Sequence, residues 1–281
     1  MAPLTPLYLS VFTALAMLAF AGNSVLCRLA LAEGSIDALS FTWIRLVSGA
    51  AILAVLVWMR RGALRGAGNW VSALALLAYA AGFSWAYLHL TAAAGALLLF
   101  GAVQATMMGA ALYQGERFSA PQTVGVLIAA TGLLALLLPG WQAPPLLAAV
   151  VMGLAGVAWG VYSLRGRGVP DPLRQTAGNF LRAAAIALMA ALASGFAVQA
   201  QPIGVVYALA SGALTSGLGY ALWYLVLPGL SSSTSAMVQL SVPVLAAIGG
   251  VALLAEPLSL RLTLSGLAVL GGIALFIRRR A

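Results

Sequence analysis

The 281-residue chain is 63% apolar and 7% charged, with a mean hydropathy of +1.05. A soluble domain carries about 25% charged residues, so a soluble enzyme or nucleic-acid module is excluded. The apolar runs are continuous, which excludes a β-barrel built from alternating strands of about ten residues. The net charge of +9 comes from 14 basic residues, all arginine, set against five acids. The arginines sit in short clusters between apolar runs, where their role is topological.

Ten apolar segments are long enough to cross about 30 Å of hydrocarbon. They are expected near 7–32, 38–59, 70–90, 93–113, 120–139, 146–165, 174–196, 204–227, 232–254 and 259–277. The first has no basic region before it and exceeds the roughly 7–15 apolar residues of a signal peptide. It therefore reads as a span, and it holds Asn23 and the single cysteine, Cys27. Span 2 encloses Arg45. In span 3, Tyr79, Phe83 and Tyr87 recur at helical spacing and share one face, with Trp85 and His89 beside them. Span 4 holds Phe100, Gln104 and Thr106, span 6 holds Trp159 and Tyr162, and span 7 holds Arg182. Span 8 carries Thr215, Ser216, Tyr220, Trp223 and Tyr224. Span 9 carries Gln239, Ser241 and Pro243. Pro243 is expected to break this span near its middle and free the carbonyl of Gln239. The loops are short and marked by turn residues such as Gly34, Gly62, Gly68, Gly115, Pro144, Pro228 and Pro257.

Arginine placement orients the chain, because cytoplasmic loops are enriched in basic residues. With the N-terminus inside, Arg60, Arg61, Arg65, Arg117, Arg165, Arg167, Arg174, Arg278, Arg279 and Arg280 all fall on the cytoplasmic side, and only Arg261 is clearly outside. Both termini are then cytoplasmic, as an even number of spans requires. The chain also repeats itself at an offset of 140 residues: Glu116, Ser119, Thr123, Leu127 and Gly132 correspond to Glu256, Ser259, Thr263, Leu267 and Gly272. Weaker correspondences keep the same order, pairing Phe20–Ser24 with Trp159–Ser163, Arg45 with Arg182 and Trp85 with Trp223. Each half holds five spans, an odd number, so the second half begins on the opposite face and is inverted. The fold class is an all-α membrane protein of ten transmembrane helices, two inverted five-helix repeats around a central cavity. It forms one membrane domain over 1–281, with repeats at about 7–140 and 146–281. Such halves usually hold a transport site between them.

The two repeats, the polar break in the first span and the Gly115–Glu116 and Ala255–Glu256 turns, together with Val242–Pro243, resemble the EamA-type members of the drug/metabolite transporter superfamily. The resemblance covers nearly the whole chain. In length and inner-span aromatics it is most similar to YddG-type exporters of aromatic amino acids. It implies a central cavity lined by spans 1, 3, 4, 6, 8 and 9 and worked by alternating access.

The acids Glu33, Asp37, Glu116, Asp171 and Glu256 all map to span ends or loops. Proton-coupled pumps place an ionisable group within the membrane. Small multidrug exporters of similar half-size fold use a glutamate in the first span, where this chain has Asn23. Proton antiport of that kind is not expected, and an uncharged cavity suits a net-neutral zwitterion moving down its own gradient. The candidate substrate-binding residues are Asn23, Tyr79, Phe83, Phe100, Gln104, Trp159, Tyr162, Gln239, Ser241 and Pro243. Rings at this depth offer stacking surfaces for a flat substrate. The competing assignment is packing, with the amides as interhelical glue. Arg45 and Arg182 either bond span-end carbonyls or form a gate with Glu33 or Asp37. Glu116 and Glu256 read as helix-end punctuation, and His89 as structural. One His and one Cys build no metal site, no cofactor is expected, and hydroxyls with a single His make a poor intramembrane enzyme. The expected setting is the bacterial inner membrane, with an amino acid and the lipid bilayer as partners, no nucleic acid, and a monomer enclosing its own cavity.

Overall fold

A computed structural model describes residues 5–115, 117–140, 143–193, 200–230 and 232–278. Glu116, Arg279 and Arg280 lie outside the described residues. The helices are α1 (Pro6–Ala32), α2 (Ala38–Met59), α3 (Trp70–Tyr87), α4 (Ala92–Tyr113), α5 (Ala120–Leu137), α6 (Leu146–Arg165) and α7 (Pro172–Ala193), then α8 (Pro202–Ala210), α9 (Gly219–Val226), α10 (Ser232–Gln239), α11 (Ser241–Leu254) and α12 (Leu260–Arg278). Among the described residues, nine helical segments are long and apolar enough to cross a membrane, and Ser241–Leu254 is a shorter apolar helix.

Local chemistry sets most helix starts. Asp37, Asn69 and Thr91 each accept a backbone N–H three residues on, at 2.8, 2.8 and 3.2 Å, which satisfies donors that a helix N-terminus leaves open. Ser119 and Gln122 form a reciprocal capping box at α5. Span 3 ends earlier than expected, at Tyr87, because the chain must turn and present Thr91 as the cap of α4.

Two spans depart from a simple rod. The eighth, continuous over Pro202–Gly229, joins α8 to α9 through a π-helical stretch at Ser211–Leu218. The ninth is interrupted at Leu240, between α10 and α11. Pro243 stands in the first turn of α11, where a missing N–H is tolerated, so the break falls slightly before the proline.

Helices in lipid gain nothing from apolar burial against one another, so close contact relies on small residues. α5 packs along α12, α2 along α7, α3 and α4 against α6, and α1 against the eighth span and α11. At the α5–α12 contact a side chain on Gly125 would stand 2.6 Å from the carbonyl oxygen of Gly272. The loop between α2 and α3 lies on α7, where Gly68 has φ +77° and a Cβ would meet the backbone of Asn179 at 2.6 Å. Glycine satisfies both demands there.

Candidate functional site

Side chains from α1, α3, α4, α6, the π-helical stretch and α9 converge on a cavity of about 20 Å³ lined by Phe20, Asn23, Ser24, Tyr79, Phe83, Leu99, Phe100, Trp159, Thr215, Ser216 and Tyr220. That volume holds about one water molecule. The chamber is collapsed around its own rings. Trp159 lies 5.0 Å from Tyr79, 5.1 Å from Tyr220 and 5.3 Å from Tyr162, and Phe20 lies 5.7 Å from Tyr220.

A polar network runs behind these rings. Asn23 donates from Nδ2 to the Tyr79 hydroxyl at 3.2 Å, and its Oδ1 accepts from Ser211 at 2.7 Å and Thr215 at 3.4 Å. Arg45, 2% exposed, donates from Nη2 to the Tyr79 hydroxyl at 3.1 Å and from Nε to Ser216 Oγ at 3.2 Å. Its guanidinium carbon also stands 5.2 Å from the Tyr79 ring centre and 5.0 Å from that of Phe83, within cation–π range. Two donors therefore occupy both lone pairs of the Tyr79 oxygen, which leaves its proton without an acceptor among the described residues. Arg45 Nη1 is buried and has no partner among them. A buried neutral donor left unmatched costs about 1–3 kcal/mol, and a charged one costs more. The expectation of an uncharged cavity is thus corrected: a guanidinium backs onto three of its lining residues, Tyr79, Phe83 and Ser216.

The ends of the bundle are tied differently. Arg28 Nε meets Glu256 Oε1 at 2.8 Å, and Glu256 Oε2 accepts the Ala92 N–H at 2.7 Å. Arg28 Nη1 donates to the carbonyls of Tyr87 and Leu88 at 2.9 and 3.3 Å. Glu256 thereby faces the positive N-terminus of α4 and Arg28 the negative C-terminus of α3. Glu256 is more than punctuation: with Arg28 it knots α1, α3, α4 and the α11–α12 turn. At the opposite, arginine-rich end, cations bond neutral groups. Arg165 reaches Ser72 at 3.1 Å and Asn69 at 3.3 Å, while Arg174 reaches the carbonyls of Ala63 and Arg65 at 2.6 and 2.8 Å. Arg182 donates to the carbonyls of Ala67 and Gly178. That is the carbonyl-bonding alternative for Arg182, and the gate with Glu33 or Asp37 is formed by neither Arg182 nor Arg45. At this end an apolar groove of about 620 Å³ opens between Leu9–Leu18 of α1 and Leu230, Thr234, Val238, Ser241 and Leu245.

Of the sequence-selected residues, Asn23, Tyr79, Phe83, Phe100 and Trp159 line the chamber. Tyr162 is stacked on Trp159 at 20° and lines a neighbouring cleft with Ser72, Thr176 and Asn179. Gln104 is buried on α4 and lines neither space. Gln239 turns back on its own helix, donating to the Ser235 carbonyl at 3.3 Å, and does not meet Gln104. Ser241 lines the apolar groove, and Pro243 is buried. The residues not selected are Phe20, Ser24, Arg45, Leu99, Ser211, Thr215, Ser216 and Tyr220. The signal for three of them was available: Ser211, Thr215 and Ser216 make a hydroxyl cluster at helical spacing inside an apolar span.

Residues 146–278 match the EamA-like transporter family. The uncharacterized protein PA1977 of Pseudomonas aeruginosa is 57% identical over 269 residues, covering 95% of this chain and 94% of that protein. A protein crystal structure shares the fold at a TM-score of 0.66 with 19% identity, covering 94% of this chain and 97% of its own. The second half of this chain thus carries an EamA-like transporter domain, within a chain that belongs with PA1977 and is a multi-pass membrane protein.

Proposed function

We propose that the chain exports amino acids, aromatic or bulky neutral ones, across the bacterial inner membrane, in the manner of YddG-type exporters. It works by alternating access of two inverted five-helix halves, with both termini cytoplasmic, as a facilitator without proton coupling. The observation that carries this reading is the collapsed chamber, whose wall is drawn from both halves. Tyr79 of the first half and Tyr220 of the second both touch Trp159, so separating the halves would free ring faces for a substrate side chain.

The helix neighbours support a two-fold repeat of five spans. Exchanging each span for the one five later returns α5–α12 and α2–α7 to themselves, and turns α3–α6 into the contact of the eighth span with α1. The asymmetry between the ends supports alternating access: one end is knotted by Arg28 and Glu256, while the other opens into a groove beside α1. No carboxylate lines the chamber, in keeping with transport that needs no proton partner. A single chain encloses the chamber, which supports a monomer.

The test is reconstitution in liposomes, with uptake of phenylalanine, tryptophan and leucine followed with and without a pH gradient. Saturable uptake that ignores the gradient is expected. Uptake that requires the gradient would sink the facilitator claim, and absence of any amino-acid flux would sink the substrate claim. The apolar groove favours a second reading, in which a more apolar metabolite or drug enters from the bilayer side; selective flux of such compounds would replace amino acids as cargo.

A further inference from the structure

We infer that the chamber recognises its substrate through a carboxylate group, received by Arg45 Nη1 and the Tyr79 hydroxyl. The inference rests on the transport reading for where the substrate sits, and goes beyond it by assigning the charge that the substrate must carry.

Among the described residues, Arg45 is the charged side chain backed against the chamber, and its Nη1 has no hydrogen-bond partner there. A guanidinium so far from water is rare within a membrane unless it lines a pathway or meets a counter-ion. The described residues offer it no counter-ion: the acids among them lie at span ends, and Glu256 is taken by Arg28. The missing anion is therefore best supplied by the cargo. Tyr79 supplies the second donor. Its oxygen accepts from Asn23 and Arg45, so its proton is directed by exclusion toward another acceptor. Two donors held together by a mutual hydrogen bond match the two oxygens of one carboxylate. Next to them, Trp159 and Tyr220 provide faces for a ring or apolar chain. An ammonium finds no acid there, so the carboxylate carries the recognition and a deaminated acid binds at least as well as the amino acid.

The test uses one ring with four heads: 3-phenylpropanoate, phenylalanine, phenylalaninamide and 2-phenylethylamine. Equilibrium binding of radiolabelled 3-phenylpropanoate to the full chain in lipid nanodiscs is measured, with the other three as competitors, and flux of all four is followed in liposomes. The two carboxylates are expected to bind, and the amide and amine to compete about 100-fold more weakly. Arg45→Gln is expected to lower carboxylate affinity about 100-fold, with Arg45→Lys retaining part of it. Tyr79→Phe is expected to lower it less. Equal competition by the amide or amine, or no binding of 3-phenylpropanoate, overturns the proposal, and this arm needs no variant to fold. Flux that ignores the head group overturns the carboxylate assignment and leaves transport standing. Carboxylate-selective binding without flux supports the assignment and overturns transport.

Discussion

Arg28 and Glu256 are 228 residues apart in sequence, and their side chains meet at 2.8 Å. The pair is only partly exposed, at 18% and 12%, and each partner also holds the backbone of another helix end. Charge-assisted bonds of this kind contribute about 1.5–3 kcal/mol before partial exposure is discounted.

Cys27, the residue before Arg28, gives this knot a built-in reporter. It is the only cysteine in the chain and is fully buried. Glu256→Gln or Arg28→Gln is expected to raise the rate of maleimide labelling of Cys27 about tenfold. An unchanged rate would show that the ion pair does not hold this end closed.

Trp159 packs against Tyr79, Tyr162 and Tyr220, so Trp159→Ala removes three aromatic contacts at once. Pairs of this kind are worth about 0.5–1.5 kcal/mol each. Flux in liposomes is expected to fall at least about tenfold, while Trp159→Phe keeps a substantial part. Full flux in Trp159→Ala would remove this residue from the site.

Asn23 and Ser211 join α1 to the eighth span through a 2.7 Å bond. Hydrogen bonds between membrane helices average about 0.6 kcal/mol and reach about 1.7 kcal/mol. A double-mutant cycle of Asn23→Ala and Ser211→Ala, read by unfolding in detergent, is expected to give coupling at the upper end of that range, because the bond is buried. Strict additivity would mean that the bond contributes nothing.

Gly125 and Gly272 set how closely α5 and α12 approach. Gly272→Leu is expected to destabilise the fold by about 1–3 kcal/mol through overpacking, lowering the unfolding temperature while the folded fraction keeps its flux. Loss of flux at full stability would place this contact in the transport cycle.

The spans were legible because a bilayer demands long apolar runs. α1, α2 and α6 begin and end within a residue of expectation. The interruption of the ninth span was legible as well, since a proline leaves little freedom within a helix. Arg45 was not placed by its sequence. Hydropathy marks it as buried in a span, but whether a guanidinium finds a span-end carbonyl, as Arg182 does, or a hydroxyl on another span depends on tertiary contacts. The role of Glu256 was hidden for the same reason: its repeat position suggested punctuation, whereas its partner lies near the start of the chain. Gln104 and Gln239 stand out in the sequence because an amide in an apolar run is conspicuous, whereas their partners depend on tertiary contacts; Gln239 donates to the Ser235 carbonyl of its own helix.

The π-helical stretch at Ser211–Leu218 winds the eighth span with one residue more than an α-helix would use. That surplus is slack stored in the chamber wall. If the bulge moves along the span by one residue, the side chains it passes turn by about 100°. A residue such as Ser216 is then re-aimed without the helix unwinding. A wall with such slack can loosen its grip on Arg45, which Ser216 holds, in a single small motion.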